Sequence, residues 1–270
     1  MLIEERHEAI LRILEEKGSI STSVIQRKFG ISYDSAKRDL RILEEQGKLK
    51  RTHGGALPLR QVAAGKAPGV TCRDFDEVKE NYMAVARCAA QMVKDNDVIF
   101  ISAATVGYFM VQNLPADLRL RVVTNSIILA EELRRRPNTQ VILLGGEMDG
   151  KGNCYDAFAI DMLRRLRIDR CFLTSACISP AFGLSIQKSQ AIAFWNAVLD
   201  SSKQAVGLYP TEKIGFESIV SICPANRLNM LITDWMAEED DLAAFRDLGI
   251  EVVLAEQPGG EGETTETPAE

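Results

Sequence analysis

Ser32-Tyr33-Asp34-Ser35-Ala36-Lys37-Arg38-Asp39-Leu40-Arg41-Ile42-Leu43 is the stretch that decides how this chain is read. Ser32 can cap a helix start, and Gly47 offers a left-handed stop just beyond Gln46. At 100° per residue Ala36, Leu40 and Leu43 share one face, while Asp34, Lys37, Arg38 and Arg41 fall on the opposite one. One side packs and the other is cationic. A helix of this width fits the major groove of duplex DNA, where Lys and Arg meet phosphates or guanine and Ser or Asp meet other base edges.

The flanks fit the same plan. Upstream, Ile3, Ile10, Leu11 and Leu14 form an apolar stripe over a helix from Glu4 to Lys17, with Gly18 as a stop. Ser21 caps a short second helix containing Val24 and Ile25, which Gly30 ends. Three helices with tight joints are a helix-turn-helix arrangement. Downstream, Lys48-Leu-Lys-Arg-Thr-His-Gly-Gly-Ala alternates and then turns on paired glycines, as a small β-wing does, which puts Lys50, Arg51 and His53 against the backbone or minor groove. The expected DNA contacts are therefore Ser32, Tyr33, Asp34, Ser35, Lys37, Arg38, Arg41, Lys50, Arg51 and His53. The competing reading is a helical cap with a solvated basic face.

Charge supports a local polyanion-binding surface. The chain of 270 residues carries a net −6, yet residues 1–60 hold 12 Lys+Arg against 9 Asp+Glu. From Gln26 to Arg60 the count is 9 against 4. Each cation set against a phosphate releases counterions, so a basic block on an acidic chain suits nucleic acid. The 46% hydrophobic content is enough for a real core, and no apolar run approaches the ~20 residues of a membrane helix. A soluble cytoplasmic protein with no membrane contact is the default expectation. Six cysteines without a C-x-x-C pair argue against a zinc or disulfide framework, so no metal and no cofactor is expected.

Here the sequence resembles a known family. Ser32-Tyr-Asp-Ser-Ala-Lys-Arg-Asp-Leu, then Leu43-Glu-Glu-Gln-Gly-Lys-Leu-Lys-Arg-Thr-His-Gly-Gly-Ala, is similar to the signature of the DeoR family of bacterial transcriptional regulators, S-x-x-T-I-R-R-D-L followed by L-x-x-x-G and R-x-H-G-G-A. Ser35, Ala36 and Lys37 depart from it, and Lys37 gives up the rigid fork of an arginine. Asp39, which the family also carries, reads as a structural partner for a neighbouring cation.

The chain divides near residue 60. Residues 1–60 are expected to form a winged helix-turn-helix, 61–75 a linker, 76–256 an α/β domain that senses an effector and oligomerises, and 257–270 an acidic disordered tail. In the α/β part the expected helices are Glu77 to Val93, Thr105 to Leu114, Ser126 to Arg136, Ala157 to Leu166, Gln190 to Ser201 and Ala237 to Leu248. The expected strands are Val98 to Ile101, Arg121 to Thr124, Gln140 to Leu144, Arg170 to Ser175, Gln204 to Leu208, Met230 to Thr233 and Glu251 to Leu254. The pattern predicts a Rossmann-like, mostly parallel sheet covered on both faces, with ligands at the carboxyl ends of the strands.

Small hydroxyl residues at those ends leave backbone N–H groups free for an anion. Candidate effector contacts are Ser102, Ala103, Ala104, Thr105, Thr124, Asn125, Ser126, Gly145, Gly146, Gln190 and Lys213. In the DeoR family these places resemble the sugar-phosphate isomerase fold, with D-x-G-T-T, T-N-S, G-G and D-x-x-K. This chain has Ser102, Ala104, Val106 and Pro210 where the family has Asp, Gly, Thr and Asp. Near the sixth helix, E-A-x-x-K-R becomes Gln190-Ala-Ile-Ala-Phe-Trp. These changes predict a pocket less polar than its relatives', for a sugar phosphate or a less polar analogue. For Phe194 and Trp195, packing in the core or at a dimer interface ranks slightly above a ligand role.

The function expected is repression of a carbohydrate or related catabolic operon, with double-stranded operator DNA as partner, an effector that modulates binding, and a homodimer or homotetramer. A sugar-phosphate isomerase-like enzyme with an appended winged helix is the alternative. It needs a placed carboxylate, and the strand-end acids are replaced, so no catalytic residue is assigned. A regulator that has lost sensing is the third reading.

Overall fold

A computed structural model describes residues 3–17, 20–51, 54–58 and 80–258, and the chain divides into two compact units, a small amino-terminal one and a larger one that holds the α/β part. The expected linker, most of the acidic tail, Gly18 and His53 lie outside the described residues, as does the side chain of Lys50.

The amino-terminal unit contains α1 (Ile3–Lys17), β1 (Ile20–Ser21), α2 (Thr22–Phe29), α3 (Tyr33–Glu45), β2 (Leu49–Arg51) and β3 (Gly55–Pro58). Ser21 caps α2 by accepting the Val24 N–H at 3.2 Å, and Gly30 ends it with φ 63°. Ser32 caps α3 by accepting the Ser35 N–H at 3.1 Å. Ile10, Leu14, Ile25, Ala36, Leu40, Leu43, Leu49 and Ala56 form one buried cluster, so the stripe on α1 and the apolar face of α3 meet there. Ile3 departs from that stripe: at the first residue of the helix it is 58% exposed. The wing has a strand that the sequence reading lacks. The two residues of β1 pair with Gly55 and Ala56, giving the order β1-β3-β2. Gly55 is required there, because a Cβ would lie 2.1 Å from the Ile20 carbonyl oxygen.

The second unit has a seven-stranded sheet with every pairing parallel. Its strands are β4 (Val98–Ile101), β5 (Leu120–Thr124), β6 (Thr139–Leu143), β7 (Ile168–Leu173), β10 (Ser202–Leu208), β12 (Met230–Asp234) and β13 (Glu251–Ala255). Helices α4 (Glu80–Gln91), α5 (Thr105–Asn113) and α6 (Ile127–Leu133) cover one face. The other is covered by α7 (Ala157–Arg164), α8 (Ile192–Asp200) and α9 (Glu239–Asp247). Alternation along β4 divides the two cores: Ile99 and Ile101 join the first, and Phe100 the second.

Two corrections to the expected elements matter. Gln190 lies not in the helix but in a single 3-10 turn, Ser189–Ala191, ahead of α8. A small antiparallel sheet of β8 (Cys177–Ser179), β9 (Gly183–Ile186) and β11 (Val220–Cys223) fills a region to which the sequence reading assigned no structure, because three- and four-residue strands are too short to show a period.

The sheet order β13-β12-β10-β7-β4-β5-β6 places the first strand of the unit inside the sheet, with two strands on one side of it and four on the other. From β4 the chain adds β5 and β6 on one side, then returns to add β7, β10, β12 and β13 on the other. That reversal falls between β4 and β7, and open parallel sheets bind ligands outside the carboxyl ends of the strands at such a point.

Candidate functional site

This scaffold carries two candidate sites. The first is the outer face of α3. Lys37, Arg38 and Arg41 are exposed while Ala36, Leu40 and Leu43 are buried, so the cationic and apolar faces are separated as their spacing requires. Asp34, Ser35, Lys37, Arg38, Arg41 and Arg51 line one open cleft of about 490 Å³. The wing therefore contributes Arg51 to the same surface. Its backbone N–H donates to Glu44 Oε1 at 2.9 Å, which ties β2 to the end of α3.

The cations differ in freedom. The Lys37 ammonium sits 4.7 Å from the centroid of the Tyr33 ring, and Arg41 reaches Glu45 only at 3.8 Å. Among the described residues Arg38 has no ion pair or hydrogen-bond partner, so its guanidinium is free to meet a phosphate or a guanine edge. Ser32 and Ser35 share a hydroxyl contact of 2.9 Å at the start of the helix.

Behind that face lies Asp39, which is buried. It accepts from Arg6 Nε at 2.7 Å and Nη2 at 3.0 Å, and lies 3.1 Å from His7 Nε2. Burial works against its charge, but the bonds from Arg6 and His7 outweigh it and hold the carboxyl below the usual carboxylate range. The reading of Asp39 as a partner for a cation rather than a base matches this geometry. The sequence named no partner, because Arg6 and His7 are more than thirty positions away.

The second candidate lies at the carboxyl ends of β4 and β7. Ser102 follows β4 and donates its N–H to the Phe172 carbonyl of β7 at 3.0 Å. It is buried, and among the described residues its hydroxyl has no hydrogen-bond partner. Helix α5 comes close at this point: a Cβ on Gly107 would fall 2.2 Å from the Ser102 carbonyl oxygen. Ala104, in the cap position of α5, makes no side-chain capping bond. Thr124 donates to the Ile101 carbonyl at 3.1 Å, and Ser126 caps α6 by accepting the Leu129 N–H. Asn125 is buried; its Nδ2 donates to the Cys154 carbonyl at 3.0 Å, and its Oδ1 has no partner among the described residues.

On the β7 side, the Lys213 ammonium donates to the Ser175 carbonyl at 3.2 Å and Thr174 Oγ1 at 3.4 Å. Burial pushes its pKa down to about 8. Thr174, Ser175 and Tyr209 are contacts the sequence reading missed. The Tyr209 hydroxyl lies 2.7 Å from Ser175 Oγ and accepts the Ser175 N–H at 3.1 Å, which fixes the turn that Lys213 touches. Asp234, at the end of β12, is committed elsewhere: it accepts the Thr211 hydroxyl at 2.7 Å, the Thr211 N–H at 2.8 Å and Asn81 Nδ2 at 3.1 Å. Strands β4 and β7 are neighbours in the sheet, so Ser102 and the Lys213 contacts sit at adjacent carboxyl ends, with Thr124–Ser126 at the end of β5 beside them. Gln190 is exposed in its turn.

The aromatic pair belongs to the core. Phe194 is fully buried and packs edge-on against Tyr155, with centroids 5.2 Å apart, and against Trp195 at 5.5 Å. Trp195 is buried too and meets Phe100 edge-on at 6.3 Å. Core packing, which the sequence ranked above a ligand role for this pair, is where both rings lie.

Lys213 carries a stability signature that can be measured. In the unfolded chain its pKa is near 10.5, so between about 8 and 10.5 the unfolded state holds the extra proton and stability climbs with pH. Below about 8 both states are charged and the full burial penalty applies. Lys213→Met is therefore expected to stabilise the chain at pH 7 by about 1–2 kcal/mol, after a discount for a side chain partly open to water, and the gain should vanish as the pH nears 10.5. Urea midpoints at pH 7 and pH 10 measure this, and a methionine variant weaker than the parent at pH 7 would contradict it.

Comparisons with known proteins match both parts of the chain to one family. Residues 6–62 match the DeoR-like helix-turn-helix domain, and residues 77–235 match the DeoR C terminal sensor domain. The HTH-type transcriptional repressor GlcR of Bacillus subtilis is 30% identical, over 96% of this chain and 99% of its own. The HTH-type transcriptional regulator GolR of Listeria innocua is 27% identical, over 93% of this chain and 98% of its own. A glycerol-3-phosphate regulon repressor of Haemophilus influenzae is 24% identical, over 84% of this chain and 88% of its own.

Proposed function

Since the chain belongs to the DeoR family and is a DNA-binding transcriptional regulator, we propose that it represses a carbohydrate or related catabolic operon through α3 and its wing. The observation that carries this reading is the division of α3 into a buried apolar face and an exposed face with Lys37, Arg38 and Arg41. Arg38 reads a base edge or phosphate in the major groove, and Lys37, Arg41 and Arg51 hold the backbone. Ser32, Tyr33, Asp34 and Ser35 line the start of the same helix, and Lys50 and His53 belong to the wing in this reading. One winged helix covers only about 600–1,000 Å² of DNA, so a dimer or tetramer on repeated half-sites supplies the affinity. It works in the cytoplasm, where the operator is.

The sensor half does no catalysis in this reading. Isomerisation beside a carbonyl needs a carboxylate free to move a proton, and Asp234 is held by Thr211 and Asn81. Instead, an effector bound above β4 and β7 shifts the chain between DNA-competent and DNA-incompetent arrangements. A differential affinity of about 1–3 kcal/mol suffices. The uncapped start of α5, the orphaned Ser102 hydroxyl and Lys213 suit an anionic group such as a phosphate. A relative named as a glycerol-3-phosphate regulon repressor supports a phosphorylated polyol as the class to try first.

Selection of genomic fragments by the purified chain tests the proposal. Recovery of a repeated-half-site motif upstream of catabolic genes is expected, and failure to retain any fragment at low salt would overturn it. Within that motif, Arg38→Ala should weaken binding about 10- to 100-fold in a mobility-shift assay with no change in melting temperature, because the side chain is exposed.

A further inference from the structure

The Gly145–Gly146 turn after β6 has the makings of an anion site, but something already sits in it. Gly146 has φ 144°, and a Cβ built there would fall 2.2 Å from Asp156 Oδ1, so the carboxylate lies directly against the glycine. Asp156 Oδ2 accepts the Glu147 N–H at 2.6 Å, and Oδ1 accepts the Ala159 N–H at 3.1 Å in the first turn of α7. These are the two kinds of donor an external oxyanion takes: a glycine-turn amide and a helix amino terminus. The same bonds hold the Asp156 carboxyl below its ordinary range.

The wall beside this turn offers the opposite chemistry. Asn125 and Asn153 are both buried, and the Oδ1 of each has no partner among the described residues. Their segments are zipped together: Ser126 bridges Asn153, the Cys154 N–H donates to the Asn125 carbonyl at 3.0 Å, and Cys154 Sγ faces the Gly146 carbonyl at 3.6 Å. Asp149 Oδ1 accepts the Asn153 N–H at 2.9 Å, adding a second carboxylate nearby. Two unmatched acceptors flanked by two carboxylates call for hydroxyl donors and repel an anion.

We infer that Asp156 is a built-in anion occupying the Gly145–Gly146 site, so the part of an effector facing this turn is uncharged and hydroxylated, with Asn125 and Asn153 as its acceptors. Asp156 is then a specificity-determining residue: it confines an anionic group to the Ser102 end. The statement about the effector rests on the sensor reading given above; the occupancy of the turn does not.

Chemical rescue separates the two. With the full chain and inorganic phosphate as the probe, Asp156→Gly should lower the melting midpoint by about 2–4 °C through the lost cap. Tens of millimolar phosphate should restore that loss, while glucitol at equal concentration should not. Asp156→Asn, which keeps a capping oxygen but no charge, should melt near the parent and gain nothing extra from phosphate. Equal phosphate shifts for the parent and Asp156→Gly would overturn the inference, as would rescue by glucitol. Neither result touches the DNA-binding assays, so failure here and failure of the regulator reading are distinguishable.

Discussion

Asp39→Ala is expected to unfold the amino-terminal unit at temperatures where the sensor unit still stands. The change leaves the half-buried Arg6 without its anion and the buried His7 without its partner. Breaking a buried pair by removing one member costs about 3–5 kcal/mol, far more than an exposed pair contributes. The loss is large because the carboxylate spans two elements: Arg6 and His7 lie on α1, and Asp39 lies on the back of the DNA-reading helix. Acid should mimic the substitution. The folded Asp39 carboxyl is depressed, so its contribution is complete above the ordinary carboxylate pKa and is lost as the pH falls through the lower folded value. Both tryptophans, Trp195 and Trp235, belong to the second unit. Helical circular dichroism should therefore fall in an early step while tryptophan fluorescence holds. A single unshifted transition seen by both probes would show that the Asp39 network holds nothing together.

The second large effect lies in the other unit. Phe194→Ala should cost about 3–5 kcal/mol, the range for removing a fully buried ring whose cavity cannot collapse. Tyr155, Trp195 and Phe100 surround it with tilted or edge-on contacts that no smaller side chain replaces. DNA affinity measured well below the new melting temperature should stay within about twofold of the parent, since the amino-terminal unit keeps its own core. A stable Phe194→Ala protein that had lost effector response would instead place the ring in the ligand site.

These two residues mark how far the sequence could be read. The faces of α3 were legible because a helix repeats every 3.6 residues and both faces are dense with one residue type. The strands β4, β5, β7, β10 and β12 were legible as apolar runs, because a parallel sheet is buried on both faces. What periodicity cannot carry is pairing at a distance. Asp39 with Arg6, Asp234 with Asn81 and Lys213 with Ser175 depend on elements meeting in space. The role of Phe194 was ambiguous for a related reason: a large ring on an amphipathic helix serves a core or a ligand equally well until its neighbours are known. The Gly145–Gly146 turn was picked out as an anion contact. That Asp156, ten residues on, fills it could be learned only from the fold.

The two-residue strand β1 has a consequence for biosynthesis. Ile20 pairs with Ala56, thirty-six residues further on, so the three-stranded sheet cannot close while the ribosome is still adding the helices between them. Until the wing emerges from the exit tunnel, the nascent segment holds three helices around an unsealed apolar seam.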